Sequence, residues 1–175
     1  MALMRYVEEK PHRVKRIMWR IVNSLVFPIL GREARAWIVR LFGAKTGVHV
    51  LFYRSVRIFA PWNLEVGSEV CFGPHVEIYN KGKVTIGSGV IVSQDAYLCT
   101  ATHDYKSQTF TLQTYPIAIE SDCWVAAKAV ILPGVTVGRG VVIGACAVVA
   151  KDIPPWTIVA GNPAQIIRKR ELVRE

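Results

Sequence analysis

The sequence lacks the cysteine spacings that disulfide frameworks and structural zinc sites need. Its four cysteines form no CxxC pair and no Cys/His ligand pattern, and each lies in an apolar stretch. They are Cys71, Cys99, Cys123 and Cys146. We therefore expect buried free thiols and a reducing, cytoplasmic setting.

A long apolar run is also absent. No stretch is long enough to cross a bilayer. A secretory signal is disfavoured because Glu8 and Glu9 precede the apolar part of the N-terminal segment, and Arg20 and Asn23 interrupt it. We therefore expect neither a membrane span nor a cleaved signal.

Acidic residues are scarce, but the shortage is confined to the two ends of the chain. In total, 22 Lys and Arg face 13 Asp and Glu. Residues 1–42 carry nine basic and three acidic side chains, residues 43–161 nine and eight, and residues 162–175 four and two. The body is nearly neutral, which argues against a nucleic-acid partner bound across it.

Residues 1–42 have the pattern of a basic amphipathic helical arm. Apolar residues at helical spacing predict one stripe, formed by Val14, Ile17, Met18, Ile21, Val22, Leu25 and Val26. Pro28 is expected to end this helix, and a second helix is predicted over residues 32–42 with Gly43 as its stop. Two roles stay open: the arm caps the repeat body, or residues 10–27 also contact an anionic membrane surface at the inner face.

A period of six residues begins at Thr46 and predicts the fold. Large apolar residues recur without a break at Ile119, Val125, Ile131, Val137, Ile143 and Val149. Upstream, extra residues enter the same register only after every third hexad, and the longest insert separates Leu98 from Ile119. Three hexads per triangular turn would gather all inserts at one corner. The pattern predicts an all-β repeat, a parallel β-helix over residues 43–161 with coils about 4.8 Å apart.

These repeats resemble the hexapeptide-repeat acyltransferases, whose coils follow an aliphatic-Gly-x-x-small-x pattern. Val66-Gly67, Ile86-Gly87, Val137-Gly138 and Ile143-Gly144 match it. Residues 123–168 resemble the closing segment of sugar O-acetyltransferases, and with SQDAYLCTATHDY and the basic arm the chain is most similar to the colanic acid biosynthesis acetyltransferases.

The resemblance implies the architecture and the reaction. It implies a left-handed parallel β-helix, with an N-terminal helical extension and a short C-terminal helix within residues 162–175. It also implies a homotrimer with active sites between subunits. The reaction would move an acetyl group from acetyl-CoA to a saccharide hydroxyl, on a small-molecule or lipid-linked acceptor.

His103 is the candidate general base. It lies in the longest insert, an active-site loop over residues 99–118, where TATHDY matches the catalytic-histidine segment of the family. An imidazole can take the proton of a hydroxyl that attacks a thioester. Its other ring nitrogen needs a partner, which either Asp104 or a backbone carbonyl can provide. The other histidines, His12, His49 and His75, stand isolated, so we expect no metal site.

The spacing of small residues suggests a slot for acetyl-CoA. Ala127 and Ala145 are eighteen residues apart, as are Ala126 and Gly144, so each pair should stack in successive coils. Such a column leaves room for a pantetheine arm, although bends also prefer small residues. A backbone amide near Ala126 or Ala127 is a candidate oxyanion donor.

The resemblance adds further cofactor contacts. Trp124 would lie beside the cofactor, and Ala150 is a further candidate cofactor contact. Lys151 and Arg168 match basic positions near the CoA phosphates and adenine.

The acceptor side is predicted from the shared corner. Trp62, Asn80 and Asp95 are candidates to hold a saccharide by stacking and hydrogen bonds, although Asn80 could equally serve the turn that contains it. Two alternatives to a sugar acetyltransferase stay open: transfer to a small non-sugar acceptor such as serine or a xenobiotic, and a catalytically silent trimeric scaffold.

Overall fold

The computed structural model of the protein describes residues 13–172, in which the repeats form a parallel β-solenoid of about six turns. The hexads supply short strands, as the six-residue period predicts, except that Ile153 forms only an isolated parallel bridge with Val137. The strands are β1 (Lys45–Thr46), β2 (Leu51–Phe52), β3 (Arg57–Ile58), β4 (Leu64–Val66), β5 (Cys71–Phe72), β6 (Glu77–Tyr79), β7 (Val84–Ile86), β8 (Ile91–Val92), β9 (Tyr97–Cys99), β10 (Ala101–His103), β11 (Leu112–Thr114), β12 (Ile117–Ile119), β13 (Trp124–Val125), β14 (Val130–Ile131), β15 (Thr136–Val137), β16 (Val142–Ile143), β17 (Val148–Val149), β18 (Thr157–Ala160) and β19 (Gln165–Lys169).

The strands stack into three sheets. The first sheet has the order β1-β4-β7-β12-β15, the second β19-β18-β16-β13-β8-β5-β2 and the third β17-β14-β9-β6-β3. The predicted register is confirmed, because Thr46 pairs with Val66 and Val66 with Ile86 in parallel strands. Ile119 also pairs with Ile86, so the ladder continues straight past the long insert.

Three corners connect the sheets. We call the turns from the first to the second sheet the first corner (residues 47–50 in the first coil), those from the second to the third the second corner (residues 53–56), and those from the third back to the first the third corner (residues 59–63). The insert between β9 and β12 lies at the third corner, as do the shorter inserts. The prediction that all inserts share one corner is confirmed.

Three of the four aliphatic-Gly matches, at Gly67, Gly87 and Gly138, lie at the first corner, where neighbouring coils are in close contact. A Cβ atom on Gly67 would lie 2.6 Å from the backbone nitrogen of Ser88 in the next coil, too close for any side chain. The serines of this corner also join the coils, since the amide of Ser68 donates to Oγ of Ser88 at 3.0 Å. Glycine at these positions is therefore a requirement of coil spacing.

The N-terminal arm contains two α-helices separated by irregular turns. They are α1 (Arg13–Ile21), a π-helical turn (Val22–Val26), a 3₁₀ turn (Phe27–Ile29) and α2 (Arg32–Leu41), and a further 3₁₀ turn spans Pro61–Asn63. The expectation of one regular helix up to Pro28 is wrong, because the α-helical hydrogen bonding ends at Ile21. Pro28 has no N–H for an i→i−4 bond, which favours irregular geometry there. Gly43 is the stop of the second helix, with φ +102°.

Aromatic residues of the arm cover the first coil. Trp19 and Phe27 are fully buried, and the Trp19 indole N–H donates to the Ile58 carbonyl at 2.6 Å. Phe27 packs edge-on against Phe52 of the first coil, whose ring stacks in parallel on Phe72 of the next at 4.8 Å. The arm therefore caps the solenoid, which agrees with the first of the two predicted roles.

The apolar stripe read from the periodicity is not the face that packs on the solenoid. Val14, Ile17, Met18, Ile21 and Leu25 are all more than half exposed. The pattern counted aliphatic residues, whereas the buried side of α1 is set by Trp19. Within residues 13–172 every helix is too short or too polar to cross a bilayer.

The expected C-terminal helix is wrong for the described residues. Gln165–Lys169 forms β19, which pairs antiparallel with β18 at the end of the second sheet. Without β19, strand β18 would be the open edge of the second sheet and would present unpaired N–H and C=O groups. A strand can form hydrogen bonds with these groups, whereas a helix cannot.

The cysteines are only partly as expected. All four are free, but only Cys123 is buried, Cys71 and Cys99 are half-buried, and Cys146 is exposed at a bend. Burial raises the pKa of the Cys123 thiol, which keeps it protonated and unreactive.

Candidate active site

The long insert forms a β-hairpin that carries His103. Strands β10 and β11 pair antiparallel, with His103 opposite Leu112. The hairpin leaves the third corner directly after β9, and the His103 side chain is exposed. The insert predicted as a loop over residues 99–118 is thus ordered by its own strand pairing.

A backbone carbonyl orients the His103 ring. Nδ1 of His103 lies 2.6 Å from the carbonyl oxygen of Phe110. Because a carbonyl only accepts hydrogen bonds, Nδ1 carries the proton, and Nε2 of the neutral ring is left able to accept one. Phe110 adopts φ +47°, a left-handed conformation uncommon for a bulky residue, and such strain is often found at functional positions. Sequence reasoning missed Phe110 because its contribution is a main-chain atom.

Asp104 does not orient the histidine. Its carboxylate accepts from the amide of Lys106 at 3.0 Å, and its own amide donates to the Thr111 carbonyl at 2.8 Å. The partner of His103 is therefore the backbone carbonyl and not Asp104, the other predicted candidate. Asp104 shapes the hairpin tip, and its predicted catalytic role is corrected accordingly.

The predicted column of small residues lies at the second corner. The amide of Cys146 donates to the Ala127 carbonyl at 2.9 Å, which places the Ala127 and Ala145 bends in successive coils. The amide of Ala126 is occupied by the Ile143 carbonyl. The amides of Ala127 and Ala145 donate to no acceptor within residues 13–172. Of the two oxyanion-donor candidates, Ala127 is thus the one with an available N–H.

Trp124 and Arg168 flank this column on the second sheet. Trp124 is 47% exposed, and its indole N–H donates to Oγ of Ser93 at 2.9 Å. Trp124, Val142, Ile158 and Arg168 are successive partners across four strands, so Arg168 lies roughly 14 Å from Trp124 along the solenoid axis. Both side chains are accessible at the same face.

Ala150 and Lys151 lie elsewhere. Both are exposed at the third corner, on the same edge of the solenoid as the His103 hairpin. The third sheet separates them from the second corner, by on the order of 15 Å for a side of five or six residues. Within one chain, the predicted cofactor residues therefore form two groups at different corners.

The structure supports the turn role for Asn80. Asn80 is fully buried, its Nδ2 donates to the Ala60 carbonyl at 2.6 Å, and its Oδ1 accepts from the Ala60 amide at 2.9 Å. Both polar atoms of the side chain are therefore used inside the third corner. The predicted contact with a saccharide is corrected, because it would break these bonds.

Trp62 and Asp95 lie at different corners. Trp62, in the 3₁₀ turn at the third corner, packs against the core, and the Lys15 ammonium stands 5.2 Å from its ring centroid. Asp95 is exposed at the second corner with φ +59°, one coil before Ala127. Asp95 is thus near the small-residue column and not beside the hairpin of its own chain.

No group of three His, Cys, Asp or Glu side chains within residues 13–172 is placed to hold a metal ion. His12 lies outside the described residues.

Comparison with known proteins gives matches of sequence and of fold. The family model described as bacterial transferase hexapeptide (six repeats) matches residues 116–151. The chain is 41% identical over 160 residues to WcaF of Escherichia coli (strain K12), which bears the name of a colanic acid biosynthesis acetyltransferase; the match covers 90% of this chain and 88% of that protein.

Two solved structures share the fold. A hexapeptide-repeat acetyltransferase from Vibrio cholerae in complex with acetyl coenzyme A superimposes with a TM-score of 0.84 at 27% identity, over 90% of this chain and 88% of that one. A maltose O-acetyltransferase from Clostridium difficile gives a TM-score of 0.78 at 29% identity, over 91% of this chain and 88% of that one.

The hydrogen bond to Phe110 predicts the tautomer of His103. We expect the neutral ring to carry its proton on Nδ1, because only that tautomer donates to the carbonyl. Nitrogen-15 NMR of histidine-labelled protein distinguishes the two tautomers, and His103→Ala assigns the signal. His75, which has no such bond among the described residues, provides an internal comparison. An Nε2–H signal from His103 would contradict the proposed orientation.

Proposed function

This chain belongs to the hexapeptide-repeat acetyltransferases, and from that membership we propose that it transfers the acetyl group of acetyl-CoA to a saccharide hydroxyl in exopolysaccharide or capsule precursor biosynthesis. The observation that carries the proposal is the exposed His103 ring, whose Nδ1 is bonded to a carbonyl and whose Nε2 is left to act as a base. The colanic acid and maltose names of two relatives support a saccharide acceptor.

In the proposed reaction, Nε2 of His103 takes the proton of the acceptor hydroxyl as its oxygen forms a bond to the thioester carbon. In this proposal the amide of Ala127, which has no acceptor within residues 13–172, donates to the carbonyl oxygen, where negative charge develops. The carbon–sulfur bond then breaks, and His103 returns its proton to the leaving sulfur. The products are the acetyl ester and the CoA thiol.

We propose that the site forms between the subunits of a homotrimer. The His103 hairpin, Ala150 and Lys151 lie at the third corner, whereas Trp124, Ala127, Ala145 and Arg168 lie at or near the second. Packing the third corner of one subunit against the second corner of its neighbour would join the base, the amide and the phosphate-binding residues. A cyclic arrangement repeats this contact three times.

Two alternatives remain to be tested. A small non-sugar acceptor would use the same base and amide, and a silent trimeric scaffold would use neither. The ordered hairpin favours an enzyme, because a scaffold does not need a strained carbonyl to fix one histidine tautomer.

We further propose peripheral contact with the inner membrane surface through residues 10–27, of which residues 10–12 lie outside the described part. The exposed aliphatic side chains of α1 include Val14, Met18 and Ile21, beside Arg13 and Arg20. An apolar face bordered by basic residues is the arrangement that rests on anionic lipid.

His103→Ala should remove the base and little else. We expect kcat to fall by about 10²–10⁴, with acetyl-CoA affinity and melting temperature close to wild type, because the ring is exposed. Steady-state kinetics over a panel of saccharides, with a melting curve, measures this. Asp104→Asn is the matched control and should retain most activity. Full activity of His103→Ala would rule out the mechanism.

Ala145→Trp should obstruct the column at the second corner. We expect acetyl-CoA affinity to fall by at least about tenfold while the melting temperature changes little, since Ala145 is exposed. Val48→Trp, at an exposed position of the first corner, is the control. Calorimetric titration with acetyl-CoA that gives equal affinity for both variants would locate the cofactor elsewhere.

Membrane contact should depend on the exposed stripe and on salt. Binding to anionic vesicles should weaken steeply as salt rises, because each basic residue near the surface contributes about 1 kcal/mol and is screened. Val14→Ser/Leu25→Ser should weaken binding several-fold, and Val48→Ser should not. Absence of co-sedimentation at low salt would leave the arm with the capping role alone.

A further inference from the structure

A large cleft lies between the N-terminal arm and the first two coils of the solenoid. It has a volume of about 900 Å³ and is walled on one side by α1 and the π-helical turn, and on the other by the second corner and the third sheet. This cleft is separate from the His103 hairpin and from the column formed by Ala127 and Ala145.

Positive charge dominates the cleft. Its lining includes Arg13, Arg16, Arg20, Arg54 and Arg57, and the only carboxylate among the described lining residues is that of Glu77. No ion pair within residues 13–172 joins Glu77 to an arginine, and Arg20, Arg54 and Arg57 have no carboxylate partner there. With Arg16 left out of the sum, four guanidinium groups face one carboxylate among the described lining residues, a formal charge of +3. Arginine in such clusters suits phosphate, whose oxygens accept paired hydrogen bonds.

One buried polar atom in the cleft also lacks a partner. Oδ1 of Asn23, in the π-helical turn, is inaccessible to solvent and has no hydrogen bond within the described residues. A buried amide oxygen without a hydrogen bond is costly. A hydroxyl group of a ligand could donate that bond if the ligand reaches this part of the cleft.

The cleft lies on the same edge of the solenoid as the proposed donor site. The amide of His75 in the cleft bonds to Ser55 of the preceding coil, the amide of Asp95 bonds to Pro74, and the amide of Lys128 bonds to Gln94. These bonds place the cleft, Asp95 and Ala127 in successive coils of the second corner. From His75 to Lys128 the distance along the axis is two coil spacings, roughly 10 Å.

We propose that this arginine cleft binds the phosphate or pyrophosphate group through which the acceptor saccharide is carried. With the anion held between α1 and the second corner, a sugar attached to it extends along the corner past exposed Asp95 to the level of Ala127. The acceptor hydroxyl then meets the acetyl group there. The inference rests on the proposed function only for the identity of the attached sugar. The anion site itself is independent of the proposed function.

Direct binding tests the anion site. Inorganic pyrophosphate is titrated calorimetrically into the full-length protein with CoA at saturation, so that the phosphate contacts of the donor are already occupied. We expect Arg54→Gln/Arg57→Gln to weaken binding by at least about tenfold. Lys45→Gln/Lys83→Gln, which removes two exposed charges that pair with Glu65, is the matched control and should bind as wild type. Arg20→Gln, on the opposite wall, should also weaken binding if the double variant does not fold.

The carrier group is tested by kinetics. Wild type should show a lower KM for a water-soluble pyrophosphate-linked saccharide than for the same saccharide without phosphate. Arg54→Gln/Arg57→Gln should abolish that difference and leave kcat/KM for the unphosphorylated saccharide unchanged.

The outcomes separate the two claims. Absent pyrophosphate binding, or equal use of both saccharides, overturns the cleft proposal and leaves the His103 mechanism intact. Binding of phosphatidylglycerol vesicles through Arg54 and Arg57, without binding of soluble pyrophosphate, would assign the cleft to a lipid headgroup and overturn it as well. Full activity of His103→Ala with normal pyrophosphate binding would overturn the mechanism and leave the anion site.

Discussion

The parallel ladder between coils is the constraint on which the rest of this molecule depends. Each coil lies on the next through rows of paired strands, as in the row that contains Val66, Ile86 and Ile119. At the first corner the coils approach too closely for a side chain at Gly67. A residue's place in the repeat therefore fixes both its sheet and its corner. Extra residues are accepted only where they leave the ladder undisturbed, which in this chain is the third corner.

This constraint explains why the candidate site residues of one chain do not meet. Ala127 and Ala145 belong to the second corner by their register, and Lys151 belongs to the third. No side-chain rearrangement can move them together, because the third sheet stands between the corners and its strands are bonded to the coils on both sides. A neighbouring subunit could bring the second and third corners together without changing either coil. The ladder therefore favours a site shared between subunits, whereas the proposal of three subunits comes from the family resemblance.

Much of this could be predicted from sequence because the repeat is regular. The register, the shared corner of the inserts and the stacking of Ala127 on Ala145 all come from counting residues in steps of six. Features that depend on tertiary contacts could not be predicted from the spacing of residues. The buried side of α1 depends on where Trp19 meets the solenoid, and Asn80 is committed to the Ala60 backbone. The partner of His103 is a carbonyl, which every residue has, so composition cannot identify it.

The position of the candidate base, His103, on a hairpin agrees with the same constraint. Coil residues point either into the core, like Val125, or along one fixed face, like Trp124, and none of them can reach far from the solenoid surface. In the proposed trimer, a base that acts on groups held by another subunit has to project from the solenoid, and in this chain the long insert lies at the third corner. The pairing of β10 with β11 and the hydrogen bond from His103 to Phe110 make the insert rigid. The His103 ring therefore keeps a fixed orientation although it projects from the solenoid. In the proposed trimer the acceptor extends from the arginine cleft along the second corner. The thioester lies beside Ala127, in the column that also contains Ala145. The hairpin of the neighbouring subunit supplies the base at the point where acceptor and thioester meet.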